Sequence, residues 1–359
     1  MSSPKALPRG RTPYYHREII GLTMNTPLIH PRDALFTTTD PAFPIIAPCD
    51  HYAGSEKLMI KSLALQRELG PIFDITFDCE DGAAHGQTAE HRAMIARLLT
   101  SSENSFDAVG VRIHDLEHPE WRSDIEYFLH IAGDRLAHLT IPKARDYSEA
   151  ASALDFVDSV HRRLGLSRQI PVHLLIESQG ALRDIGRIAA LPGLRGLDFG
   201  IMDFVSSHRG AIPSAAVRSP GQFEHRLVAR AKAEIVAAAL AHGLIPSHNV
   251  SLDLVDDASV SGDARRARNE FGFLRMWSIH PRQIRAILAA FAPDLTAACQ
   301  AGEILLQAQQ NGWGPIRFRD ELYDRASYRM LWDTVQRAQK TGVALPDEVQ
   351  RAFFGYPPS

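Results

Sequence analysis

Eight short apolar runs, spaced along the chain and separated by stretches of helical period, constrain this sequence more than any other feature. The runs fall at 44–48, 73–78, 108–113, 138–142, 172–177, 196–200, 250–254 and 276–279. Helical stretches lie between them at 57–69, 89–99, 150–164 and 226–242, with Gly70, Gly165 and Gly243 where C-terminal caps belong. Apolar runs of four to eight residues bounded by turn signals read as buried strands of a parallel sheet. Eight strand–helix units in one domain are the repeat number of a (β/α)8 TIM barrel, an α/β fold. A doubly wound open sheet is the alternative, but no Gly-rich phosphate fingerprint follows any strand.

The remainder of the chain is arranged around that unit. Residues 1–43, rich in Pro, Arg and Thr and without a steady period, read as an N-terminal arm. Residues 44–291 form the barrel, and 292–359 read as a C-terminal helical extension. In that extension helical patterns at 295–310 and 326–341 flank the break Asn311-Gly-Trp-Gly-Pro-Ile316. At 45% hydrophobic and 23% charged, the chain has ample material for a core. A formal net charge of −3 argues against an electrostatic nucleic-acid binder. The three cysteines, Cys49, Cys79 and Cys299, show no metal spacing and suit a reducing compartment. No window approaches 18 apolar residues and the N-terminus lacks an apolar leader, so a cytoplasmic protein with no membrane partner is expected.

In a parallel barrel the carboxyl ends of the strands converge on one mouth, where ligands bind. Here those ends are polar. Asp78-Cys-Glu80-Asp81-Gly82 follows the second run, Arg112-Ile-His114 ends the third, and Pro142-Lys143 ends the fourth. Glu177 closes the fifth, Asp203 follows the sixth, and His280-Pro281 follows the eighth. Two acids at neighbouring strand ends suit a divalent cation whose other ligands are water and substrate. Each residue also has a plainer reading. Glu177 could favour a helix dipole, Asp203 could cap a helix, and Glu80-Asp81 could be turn chemistry. Arg112 could be an internal partner of Asp78 or Glu80, and Lys143 and His280 could be ordinary loop residues. Six decorated strand ends outweigh these separate accounts taken together.

Asp78-Cys-Glu80-Asp81-Gly82, Val111-Arg112-Ile113, Ile141-Pro142-Lys143, Leu175-Ile176-Glu177-Ser178, Asp198-Phe-Gly200-Ile-Met-Asp203 and Ser278-Ile-His280-Pro281-Arg-Gln283 occur in the order seen in one family. The chain resembles the citrate lyase β-subunit and malyl-CoA lyase proteins of the HpcH/HpaI aldolase group over about residues 44–290. The resemblance implies that Glu177 and Asp203 ligate Mg²⁺ and that Arg112 holds the carboxylate and oxygen of a 2-oxo acid. It implies that Glu80 and Asp81 lie behind them, organising Arg112, and that Lys143 and His280 contribute to substrate binding. Leu322-Tyr323-Asp324 looks like the family's C-terminal motif, whose acid would reach a neighbouring subunit's site as an acid/base group. A homotrimer or homohexamer follows by the same resemblance.

The expected activity is a Mg²⁺-dependent carbon–carbon lyase on a malyl- or citryl-type 3-hydroxyacyl-CoA. Its reaction would pass through an enolate, with the 2-oxo acid chelated to the metal. Candidate bases are Asp324 from a neighbour, Asp81, or a water. The chain departs from the family pattern at its first strand, where Phe43-Pro-Ile-Ile-Ala-Pro-Cys49 replaces Arg-Ser-x-Leu-Phe-x-Pro. That segment helps position coenzyme A in the family, so an aldolase on a free 4-hydroxy-2-oxo acid stands as an alternative, with a CoA-thioester hydrolase as a third.

Overall fold

A computed structural model describes residues 28–37, 46–81 and 88–355. Eight parallel strands close into a barrel in chain order. They are β1 (Cys49–Ala53), β2 (Asp74–Asp78), β3 (Val109–Arg112), β4 (Leu136–Ile141), β5 (Val172–Ile176), β6 (Leu194–Phe199), β7 (Ile245–His248) and β8 (Arg275–Ser278). β1 pairs with both β2 and β8, which closes the ring. The (β/α)8 TIM barrel read from the sequence is the fold of the protein.

Two strands lie elsewhere than the sequence reading put them. The first begins at Cys49, not at 44; residues 44 and 45 lie outside the described residues, and 46–48 lead up to the strand. Polar Asp50 and His51 disguised it. The seventh is Ile245–His248, and the 250–254 run is a loop. In that loop Asp253 Oδ1 accepts the backbone N–H groups of Val255 and Asp256, so backbone bonding there is local rather than across a sheet.

Side chains alternate across each strand. One set, including Ile75, Phe77, Val111, Leu139, Ile141, Leu174, Ile176 and Leu197, is fully buried against the surrounding helices. Each such residue contributes roughly 1.5–3 kcal/mol relative to exposure. The other set faces the barrel axis and is unusually polar. Contacts between strands that are not neighbours prove this. Thr76 of β2 reaches His138 of β4 at 2.9 Å, and Arg275 of β8 reaches Asp74 of β2 at 2.7 Å.

Beyond the barrel, the helices Leu295–Gln310, Arg325–Lys340 and Asp347–Phe353 enclose a second apolar cluster that includes Ile304, Tyr328, Trp332 and Val349. Leu35, from the short helix Pro31–Leu35, packs into that cluster, and Arg325 and Arg329 donate to its carbonyl. The rest of the expected N-terminal arm, 1–27 and 38–43, lies outside the described residues. No helix among the described residues is long and apolar enough to cross a membrane.

Candidate active site

At the carboxyl ends of the strands lies a cavity of about 140 Å³, lined among others by Asp81, Arg112, Glu177, Asp203, Asn249 and Trp277. Its floor and walls follow from register. Asp78 and Arg112 are direct cross-strand partners on β2 and β3, and the guanidinium Nε donates to Asp78 Oδ1 at 2.6 Å. Arg112 Nη1 meets Glu80 at 3.0 Å, and Nη2 donates to the Tyr52 hydroxyl at 2.8 Å. Tyr52 in turn donates to Asp78 and stacks on Trp277. Burial works against the Arg112 charge, but Asp78, Tyr52 and Glu80 keep it firmly protonated. Two of its five N–H donors are hydrogen-bonded and Nη1 is ion-paired with Glu80, which leaves two uncommitted among the described residues.

Glu177 follows the last residue of β5, and Ser178 after it caps the helix Gln179–Arg183. The dipole-favouring role weighed for Glu177 therefore gives way to a place in the cavity wall. Its carboxylate is buried and accepts the backbone N–H of Lys143 at 2.8 Å. Burial, and then the nearby charge of Asp203, push its pKa up to about 8, with Arg112 opposing. Gly200, just past β6, is what admits this carboxylate: a Cβ there would overlap Glu177 Oε1 and Cγ. Asp203 projects from the first turn of the helix Ile201–Ser207, whose N-cap is Gly200. Asp203 is therefore not the cap itself.

Lys143 joins these acids. Its ammonium lies 2.5 Å from Glu80, 3.1 Å from Asp81 and 3.8 Å from Asp203. Burial opposes its charge, but the hydrogen bond and charge of Glu80, with Asp203 and Asp81, hold it well above the usual ammonium range. Among the described residues no group of three or more His, Cys, Asp or Glu side chains is arranged as a metal cluster. A pair of carboxylates matches a hard cation such as Mg²⁺, which keeps several waters and takes one or two protein carboxylates. The donors fit: Glu177 is a buried acid whose charge is opposed by burial and by Asp203, and a dication between them would remove that opposition.

Of the residues singled out from the sequence, Glu80, Asp81, Arg112, Lys143, Glu177 and Asp203 come together at this mouth. His280 and Asp324 stand apart from the cavity lining. His280 caps the helix Pro281–Phe291 in a capping box with Gln283. Asp324 caps the helix Arg325–Lys340, accepting from Ala326 N and Ser327 N, and lies in the extension of its own chain. Tyr52, Trp277 and Asn249 were not anticipated. Tyr52 lies on β1 and Asn249 directly follows β7, the two strands that no continuous apolar run marks in the sequence.

The closed barrel and the cationic and acidic groups at its mouth define an enzyme whose site is built around negatively charged oxygens. The chain belongs to the HpcH/HpaI aldolase/citrate lyase family, whose model matches residues 54–281, and is a carbon–carbon lyase. A citrate lyase from Burkholderia xenovorans LB400 is 54% identical, with a TM-score of 0.76, over 90% of this chain and 100% of that one. The L-malyl-CoA/beta-methylmalyl-CoA lyase of Cereibacter sphaeroides (strain ATCC 17029) is 29% identical over 277 residues, 74% of this chain and 87% of that protein. CitE from Mycobacterium tuberculosis, solved with magnesium, acetoacetate and coenzyme A, shares the fold at 20% identity and a TM-score of 0.61, covering 82% of this chain and 98% of that one.

Proposed function

We propose that the protein cleaves or forms the carbon–carbon bond of a 3-hydroxyacyl-CoA of malyl or citryl type, with a 2-oxo acid as the second partner. The observation that carries this reading is the meeting of Glu177, Asp203 and Arg112 on one cavity. Glu177 and Asp203 would hold Mg²⁺. When bound, that ion supplies a Lewis acid for the charge that builds on an enolate oxygen. The two uncommitted N–H donors of Arg112 grip the 2-oxo-acid carboxylate as a fork. Asp78, Glu80 and Tyr52 keep that fork in one orientation. In the lyase direction a base removes the hydroxyl proton and the O–H electrons form the new carbonyl. The carbon–carbon bond then breaks, its pair passing to the acyl enolate, which takes up a proton. Asp81, well exposed at the rim, and Asp324 of a second copy are the bases we assign. Coenzyme A use is supported by the malyl-CoA lyase activity of the Cereibacter relative and the ligands of the Mycobacterium structure.

Incubation of the protein and Mg²⁺ with glyoxylate, pyruvate or oxaloacetate against acetyl-CoA or propionyl-CoA, read by mass spectrometry, tests the reading. A new CoA adduct whose mass is the sum of both partners is expected. Adducts formed only without CoA would move the assignment to an aldolase on free acids. No adduct, together with no Mg²⁺ binding by calorimetry in either the parent or Glu177→Ala, would end it.

A further inference from the structure

The inside of a (β/α)8 barrel is ordinarily filled by layers of branched apolar side chains. Here the axis below the mouth holds Asp50, Thr76, His138, His173, Asp198 and Arg275, all nearly inaccessible to solvent. They touch in sequence. Arg275 pairs with Asp50 at 2.7 Å, and Thr76 Oγ1 lies 2.9 Å from both Asp50 and His138 Nε2. The His138 ring stacks on His173 at 4.8 Å, and His173 Nδ1 lies 3.5 Å from Asp198 Oδ2. Gly110 and Gly196 leave the space these rings occupy, since a Cβ at either would overlap the imidazole of His138 or His173.

Asp198 is the upper end of this column. It is 1% exposed and lines the same cavity as Glu177 and Arg112. Among the described residues neither of its carboxylate oxygens has a hydrogen-bond partner, and neither does His173 Nδ1. The lower end opens differently: His138, His173, Arg275 and Asp74 line a second cavity, of about 370 Å³, that also meets Arg195 and Lys340. A bare buried carboxylate beside an imidazole, with water-accessible space beyond, is an arrangement for holding and replenishing a proton.

We propose that Asp198 is a further acid/base group of the site, exchanging a proton with the enolate carbon from the barrel floor, and that His173 replenishes it through the polar axis. The inference rests on the reading of the mouth as an enolising centre. In the lyase direction the acyl enolate carbon takes the carboxyl proton, leaving Asp198 as carboxylate, and the imidazolium of His173 returns a proton to it. In the reverse direction Asp198 removes a proton from the methyl carbon and the C–H pair becomes the enolate. The charged and titratable groups facing the pair are His138 from β4, Arg275 from β8 and Asp50 from β1, with Arg112, Glu177, Asp203 and Asp81 around the cavity that Asp198 lines and Asp74, Arg195 and Lys340 around the cavity that His173 lines.

Two measurements on the full chain decide it. In D₂O with Mg²⁺, exchange of the methyl protons of acetyl-CoA and of pyruvate is followed by NMR for the parent, Asp198→Asn and His173→Gln. Asp198→Asn is expected to lose on the order of a hundredfold in exchange with Mg²⁺ affinity unchanged. His173→Gln is expected to shift the pH dependence of exchange, which a purely structural role would not do. Exchange by Asp198→Asn within about twofold of the parent overturns the proposal, on the same scale of acid–base contributions. The second measurement needs no turnover: histidine-labelled protein gives the His173 titration by difference from His173→Gln. Displacement of that midpoint in Asp198→Asn supports the shared proton, and an unchanged midpoint overturns it. If the parent exchanges neither probe, the enolising reading of the mouth fails, and the His173 titration decides the proton-sharing pair independently.

Discussion

The backbone N–H of Lys143 donates to the Glu177 carboxylate across 2.8 Å, so the end of β4 is tied to the end of β5 through the group proposed to bind metal. Lys143 adopts φ +52, the left-handed region that non-glycine residues enter at a cost of roughly 1–2 kcal/mol. The side chain places its ammonium among Glu80, Asp81 and Asp203. One residue thus holds four acids by two different atoms.

Lys143→Met keeps the backbone donor but removes the cation from a buried Glu80. A loss of about 1–3 kcal/mol in stability is expected, the scale of an unmet charged hydrogen bond. Urea denaturation without metal measures it, and an unchanged midpoint would show that Arg112 alone satisfies Glu80.

Gly200→Ala places a methyl where the Glu177 carboxylate lies. The Glu177 side chain must swing away, since the helix beginning at Ile201 fixes the backbone. Overpacking of this kind costs about 1–3 kcal/mol. The larger effect falls on the site: Mg²⁺ affinity by calorimetry is expected to drop at least as far as in Glu177→Gln, with the circular dichroism of the barrel retained.

The raised pKa of Glu177 sets a pH dependence with a definite sign. Its ordinary value is 4.5 and its folded value is about 8, so between these the folded state holds a proton that the unfolded state has released. Stability therefore falls as pH rises through this window, by up to about 5 kcal/mol for a fully buried group. Without metal, Glu177→Gln should gain in melting temperature over the parent as pH goes from 5 to 8.5, and Mg²⁺ should narrow that gap. A gap independent of pH would mean that Glu177 is ionised throughout.

Arg112 carries structure as well as chemistry. Removing its side chain in Arg112→Ala takes the guanidinium from buried Asp78, which keeps the donors of Tyr52 and the Glu80 N–H, so a stability loss of about 3–5 kcal/mol is expected beside the loss of turnover. Arg112→Lys keeps the charge but not the fork of donors. A kcat at least about a hundredfold lower with a largely retained melting temperature is expected, because the bidentate geometry is lost. Full activity in Arg112→Lys would remove the carboxylate-clamp role.

Most strand positions could be read from the chain because an apolar run between turn signals is a local pattern. The first strand was displaced because Asp50 and Tyr52 face a polar axis, so no continuous apolar run marks it. The seventh was displaced because Pro246 interrupts the true strand, while Asp253 makes a local turn in a segment of the right composition. At the site, Glu177, Asp203 and Arg112 announced themselves as charges beside apolar runs. His280 carried the same signal, yet the fold uses its ring to cap a helix.

The sequence by itself determined the eight strand–helix units, the mouth at which their polar ends gather, and the family to which the chain belongs. These follow from the strand and helix periods and from residue order, both local properties. Only the tertiary structure decided which charges meet. Tyr52 orients Arg112, Lys143 bridges Glu80 to Asp203, and Thr76 meets His138, because barrel closure brings strands 60 or more residues apart in sequence face to face, while His138, His173 and Asp198 share the axis from neighbouring strands. A polar residue pointing inward and one pointing outward look alike in a chain, and closure of the ring alone distinguishes them.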